Sequence, residues 1–141
     1  MSKVGLQLYS IRELAQKDFF GTLEQVGKIG YDGVEFAGFY NANAKELKKV
    51  LDKSGLEACG SHTDIKLLTE QLEDVIKYNI EINNSYIICP GVPENMRNSA
   101  DAWKKTAELF NKIGLKCKEN GIQFGYHNHW IEFQKFDGEY G

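Results

Sequence analysis

Val4-Gly5-Leu6-Gln7-Leu8-Tyr9 alternates without a break. In an extended segment Val4, Leu6 and Leu8 fall on one face and Gly5, Gln7 and Tyr9 on the other. One face suits an apolar neighbour, while the other is small and polar. The same two-sidedness returns in Tyr31-Asp32-Gly33-Val34-Glu35-Phe36, where Gly33 and Glu35 share a face. It returns again near the end of the chain, where Gln123, Gly125 and His127 do. A parallel sheet covered by helices on both sides is apolar on both faces. Glycines, amides and carboxylates on one face suit instead the inside of a closed barrel, where side chains from several strands meet on the axis.

The connections have a regular grammar. After the first strand, Asp18 caps a helix with Phe19, Leu23, Val26 and Gly27 on its apolar face, and Gly30 closes it. Asn43, with Glu46 three residues on, opens a second helix carrying Leu47, Val50 and Leu51, and Gly55 ends it. Strand three is Leu56 to His62. One longer helix with Ile65, Leu68, Leu72, Val75 and Ile76 leads to strand four, Ser85 to Cys89, stopped by Pro90-Gly91. Ser99 caps a helix with Trp103, Ala107, Phe110, Ile113, Gly114 and Cys117 on one side, and Gly121 ends it before strand five.

Strands beginning near residues 4, 32, 56, 85 and 122, each gap holding a helix, form a βα repeat. The sheet is therefore expected to be parallel, with right-handed crossovers. Between a doubly wound sheet and a (β/α)8 barrel the strand faces favour the barrel. No GxGxxG or GxxxxGK[ST] pattern follows the first strand to argue for nucleotide binding. Eight such units need about 250 residues, whereas this chain has 141. The expected fold is α/β, a partial (β/α)8 TIM barrel of about four βα units plus a fifth parallel strand. Residues 1–141 are then read as the N-terminal half of such a domain. The tail from Gln134 to Gly141 carries turn residues and no helix pattern. A sheet cut from a barrel exposes two edges, so homo-oligomerisation to cover them is expected.

With a net charge of -3 and 42% hydrophobic residues, the chain has enough apolar matter for one core and no basic footprint for nucleic acid or an anionic membrane. No apolar run approaches the roughly 18 residues that cross a bilayer. Met1-Ser2-Lys3 leads into a strand rather than a signal peptide, so a cytoplasmic protein is expected. Cys59, Cys89 and Cys117 form no CxxC pair and are read as buried thiols.

The chemistry collects at the expected C-terminal ends of the strands, where a barrel builds its active site. Tyr9 and Arg12 follow strand one, Glu35 strand two, His62 strand three, and His127, Asn128, His129 and Glu132 strand five. All three histidines of the chain are in this set. Two imidazoles, an amide and a carboxylate within Gly125-Tyr126-His127-Asn128-His129-Trp130-Ile131-Glu132-Phe133 point to metal-ligand or acid-base work.

These stretches, together with Leu6-Gln7-Leu8-Tyr9-Ser10-Ile11-Arg12, Gly30-Tyr31-Asp32-Gly33-Val34-Glu35 and Ser61-His62, resemble the sugar phosphate isomerase/epimerase family of xylose isomerase-like TIM barrels. The resemblance implies an enzyme that moves a proton through an enediolate of a sugar or sugar phosphate, with lyase or dehydratase action on a keto-sugar or inosose as the alternative on the same scaffold. A catalytically inert, self-associating half-barrel is the reading from another class. The resemblance further implies a divalent cation, Mn, Mg, Co or Zn, in the intact enzyme. Glu132, His127 and His129 are its candidate ligands here, with others from later strands. Glu132, His62 and His129 are the implied catalytic residues, and Tyr9, Glu35, His62 and Asn128 the implied substrate-binding ones.

Overall fold

Five parallel strands pair in the order in which they occur along the chain. They are β1 (Gly5–Gln7), β2 (Gly33–Phe36), β3 (Glu57–His62), β4 (Tyr86–Cys89) and β5 (Gln123–Tyr126). This arrangement is taken from a computed structural model describing residues 2–136 and 138–140. Met1, Asp137 and Gly141, on which parts of the readings of the start and the tail fall, lie outside them. A doubly wound sheet reverses its strand order at a switch point. Here the order never reverses, so the helices collect on one face as in a segment of a barrel.

Those helices are α1 (Arg12–Lys17), α2 (Phe19–Ile29), α3 (Ala44–Ser54), α4 (Ile65–Glu70), α5 (Leu72–Glu81) and α6 (Ala100–Glu119). Their ends follow the expected chemistry. The side chains of Asp18, Asn43 and Ser99 accept hydrogen bonds from the backbone N–H groups of Gly21, of Lys45 and Glu46, and of Ala102. Gly30 and Gly55 close α2 and α3 in the left-handed conformation that a side chain disfavours.

Several expectations are corrected. The first strand stops at Gln7 rather than Tyr9, because the Gln7 amide oxygen accepts the Tyr9 N–H at 2.8 Å and turns the chain into a 3-10 helix over Leu8–Ile11. The short helix α1 was not foreseen. The long helix expected through Ile65 and Ile76 is two helices meeting at Gln71. There the Thr69 hydroxyl takes the carbonyls of Ile65 and Lys66, at 3.0 Å each, loosening the last turn of α4. Ala107 points outward, and Thr106 is buried instead, its hydroxyl on the carbonyl of Met96 at 2.7 Å. Cys59 is exposed, whereas Cys89 and Cys117 are buried. The tail forms a small antiparallel pair, β6 (Lys135–Phe136) with β7 (Glu139–Tyr140).

Two apolar clusters lie between the sheet and its helices. Leu8, Val34, Phe36 and Leu56 pack with Leu23, Val26, Leu47 and Leu51, and Ile87, Cys89 and Ile122 pack with Ile65, Leu68, Ile76, Ile113 and Cys117. Burying such side chains is worth roughly 1.5–3 kcal/mol each. Helix α2 comes so close to α3 that a Cβ on Gly27 would stand 2.4 Å from the carbonyl oxygen of Ser54. Among the described residues no helix is long and apolar enough to cross a membrane.

One irregularity in the sheet positions the site. The pairing of β2 with β3 shifts between Val34 and Glu35: Val34 faces Ala58, but Glu35 faces Gly60, and Cys59 is skipped. A bulge of this kind reverses the alternation beyond it. Cys59 and Gly60 therefore both lie toward the inner face, Cys59 near Gly5 and Gly33, Gly60 near Glu35 and Ile88. Ser61 then turns outward, where its hydroxyl donates to Asn79 of α5 at 2.8 Å. His62 turns inward.

Candidate active site at the strand ends

On the inner face His62 Nε2 stands 3.3 Å from Glu35 Oε1. Glu35 is held from the other side by Gln7, whose Nε2 donates to the same oxygen while its Oε1 accepts the Tyr9 N–H. Three adjacent strands thus contribute one link each, and the amide of Gln7 ties the carboxylate to the end of β1. The His127 N–H donates to the carbonyl of Cys89 at 3.0 Å, extending the β4–β5 pairing by one residue. This brings the His127 ring edge-on to His62, with centroids 5.3 Å apart, and His129 edge-on to His127 at 4.7 Å.

The electrostatics follow from this crowding. Burial lowers the pKa of His62. The Glu35 carboxylate opposes that shift, and His127 and His129 add to it. The imidazole is therefore held toward its neutral form.

Glu132 sits on a 3-10 turn, Ile131–Phe133, that follows the histidines. Its carboxylate accepts from the Tyr126 hydroxyl and, at 2.6 Å, from the His129 N–H. Burial raises its pKa, but these bonds outweigh burial and hold the carboxyl below its usual range. Burial, then the bond to Glu132, pushes the Tyr126 hydroxyl well above its own. Glu132 thereby fastens the turn that carries His129 back onto β5.

A cavity of about 1040 Å3 opens over these groups, with Gln7, Tyr9, His62, His127 and His129 at one end. Of the residues expected at the site, it gathers Tyr9, His62, His127 and His129, while Glu35 lies behind Gln7 and His62. Asn128 is outside the lining, its amide donating to the carbonyl of His129 at 3.3 Å. Glu132 lines a smaller neighbouring pocket with Arg97, Tyr126 and His129. The exposed Arg12 stacks on Tyr9, 4.5 Å from the ring centroid. Gln7 had a signal in the sequence, its place on the polar face of β1. Phe39 and Tyr78, which line the far end of the cavity, had none. Each reads locally as a core aromatic, and only packing brings the two rings to 4.3 Å.

The described residues do not by themselves fit a divalent cation. No three His, Cys, Asp or Glu side chains among them converge on one point, and the carboxylate expected alongside His127 and His129 is taken up by Tyr126 and a backbone N–H.

Over residues 23–138 the chain matches the family described as xylose isomerase-like TIM barrel. A sugar phosphate isomerase/epimerase from Parabacteroides distasonis superposes with a TM-score of 0.77 at 28% identity, over 95% of this chain and 54% of that one. An inosose dehydratase from Clostridium perfringens is 23% identical over 81% of this chain and 45% of its own length. A probable 3-DHS dehydratase from Bacillus anthracis shares the fold, with a TM-score of 0.63 at 12% identity over 87% of this chain and 51% of its own. The chain spans about half the length of the curated relatives it matches.

Proposed function

The chain belongs to the xylose isomerase-like TIM barrel family, and on that premise we propose that it carries part of the acid-base site of an enzyme that takes a proton from the carbon beside a carbonyl of a sugar or sugar-like polyol. The observation that carries this reading is His62, held toward neutrality between the Glu35 carboxylate and the His127 ring at the strand ends. A neutral imidazole can accept a proton. Glu35 beside Nε2 favours the proton on that nitrogen and leaves the lone pair on Nδ1. Negative charge then develops on the carbonyl oxygen. His127 and His129 are proposed as the donors that stabilise it, Tyr9 as a binder of hydroxyls, and Glu132 as the residue that positions His129.

Returning the proton to the opposite face gives an epimer, and to the neighbouring carbon, with a hydroxyl proton moving in turn, an isomer. Loss of a hydroxyl as water from the next carbon gives dehydration, a second reading supported by the likeness to an inosose dehydratase. No step in this scheme passes through a cation.

The test is solvent exchange. The protein is incubated in D2O with ketoses, keto-inositols and their phosphates, with Mg or Mn supplied, and deuterium at the carbon beside the carbonyl is followed by NMR. Uptake that falls by roughly 10²- to 10⁴-fold in His62→Asn is expected. Absence of uptake across the panel, or uptake indifferent to that substitution, sinks the proposal.

A further inference from the structure

The cavity is larger than the proposed chemistry needs. Its histidine end holds the reacting groups, but about 1040 Å3 is the size of a site for a drug-sized ligand, well beyond one sugar ring. The far end lies between two walls, both built within this chain. One is the loop after β2, carrying Phe39 and Tyr40. The other is formed by α4 and α5, carrying Leu67, Val75 and Tyr78. The loop wall is fixed: Gly38, Tyr40 and Asn41 all take positive φ, the Tyr40 ring packs on Phe19 at 5.0 Å, and the Tyr78 hydroxyl donates to the Ala42 carbonyl at 2.8 Å. Two consecutive non-glycine residues are held there in a conformation that side chains disfavour, so the groove is a shaped feature rather than slack.

Its charge is one-sided. Among the described residues no lysine or arginine lines the cavity, whereas Asp64 and Asp74 do. Two helix N-termini stand at its rim: that of α4 is capped by the Asp64 carboxylate on the Lys66 N–H at 2.8 Å, and that of α5 carries Glu73 and Asp74 in its first turn. Phosphate recognition needs cationic or free N–H donors, and this groove repels the ligand they would hold.

We infer that the substrate is an uncharged sugar bearing an aromatic ring, with the sugar at His62, His127 and His129 and the ring at the far end, against Phe39 from the loop wall and Leu67, Val75 and Tyr78 from the helix wall. This deepens the proposed function and relies on it only for which end of the substrate reacts. The apolar side chains of Phe39, Leu67, Val75 and Tyr78 favour an aryl group, which has no hydroxyls to strip of water against them.

The test compares three probes by titration calorimetry: methyl β-glucoside, phenyl β-glucoside and glucose 6-phosphate. Phenyl β-glucoside is expected to bind at least roughly tenfold more tightly than either of the others, the scale of one aromatic ring pairing with another. Leu67→Glu, at a position 42% exposed and so tolerant of charge, is expected to abolish that preference while the circular dichroism spectrum is unchanged. Equal affinity for the two glucosides, tighter binding of glucose 6-phosphate, or no binding of any probe overturns the inference. Phenyl preference without deuterium uptake into any carbonyl substrate would leave the groove standing and remove the enolisation reading. Uptake without phenyl preference would do the reverse.

Discussion

His62 and Glu35 come from neighbouring strands and stand 3.3 Å apart only because β3 carries an extra residue between Ala58 and Gly60. Without that bulge the alternation would send His62 to the helix side and bring Ser61 to the cavity. The site thus depends on a local defect in the sheet.

Glu35→Gln removes the one contribution that raises the pKa of His62, leaving burial and the two neighbouring imidazoles. The His62 ring protons, followed by NMR, are expected to titrate below the ordinary imidazole value of 6.5 in the parent protein and lower still in the variant. The linkage has the sign of a depressed group. The native state binds fewer protons here than the unfolded chain, so the contribution of His62 to stability is present above its unfolded pKa and lost as pH falls through the folded one. An upward shift in Glu35→Gln would contradict the pairing.

Gly27→Ala should destabilise the protein, although alanine is the better helix former by up to about 1 kcal/mol. The new methyl would meet the backbone carbonyl of Ser54, which no rotamer change can move. A net loss of about 1–3 kcal/mol in urea unfolding is expected. A stabilised variant would mean that α2 and α3 are not so closely packed.

Asn79 is fully buried, accepts from Ser61 at 2.8 Å and Asn84 at 2.7 Å, and donates to the Val75 carbonyl at 2.8 Å. Asn79→Ala leaves the buried Ser61 hydroxyl without its acceptor and takes one of the acceptors of Asn84, which keeps the Tyr86 carbonyl. The expected loss is about 3 kcal/mol, read as a shifted urea midpoint with an unchanged slope.

Cys59 should react with a thiol reagent in the native protein, while Cys89 and Cys117 react only after denaturation. Although Cys59 is exposed, the partial burial of its sulfur against Gly5 and Gly33, then the carboxylates of Glu57 and Glu35, raises its pKa above 9.0. Its alkylation rate is therefore expected to keep rising past pH 9.0, where an ordinary thiol has half reached its plateau. Rapid labelling at neutral pH would argue against this environment.

The elements were legible where local chemistry decides them. Asp18, Asn43 and Ser99 cap helices because their short side chains satisfy N–H groups nearby in sequence, and Gly30 and Gly55 end helices because of their own backbone. The alternation in β1, β2 and β5 identified a polar inner face, which Gln7 and Glu35 occupy. The break at Gln71 was not legible, since the apolar spacing from Ile65 to Ile76 suits an unbroken helix, and the bonds of the Thr69 hydroxyl to the Ile65 and Lys66 carbonyls appear only in the structure. Nor was the bulge at Cys59 that turns Ser61 outward and His62 inward, because a bulge has no signature in residue type.

The sequence by itself determined the βα repeat, the barrel-like polarity of the strands and the gathering of Tyr9, Glu35, His62, His127 and His129 toward one end of the sheet, because periodicity and capping act over a few residues. Only the tertiary structure decided which of these groups face one another. The register of β2 against β3 turned His62 toward Glu35, the Tyr126 hydroxyl and the His129 N–H took up the Glu132 carboxylate, and the packing of the loop after β2 against α5 made a groove from Phe39 and Tyr78. The first and last of those outcomes rest on contacts between elements far apart in the chain, and in the sheet a shift of one residue reverses the direction a side chain points.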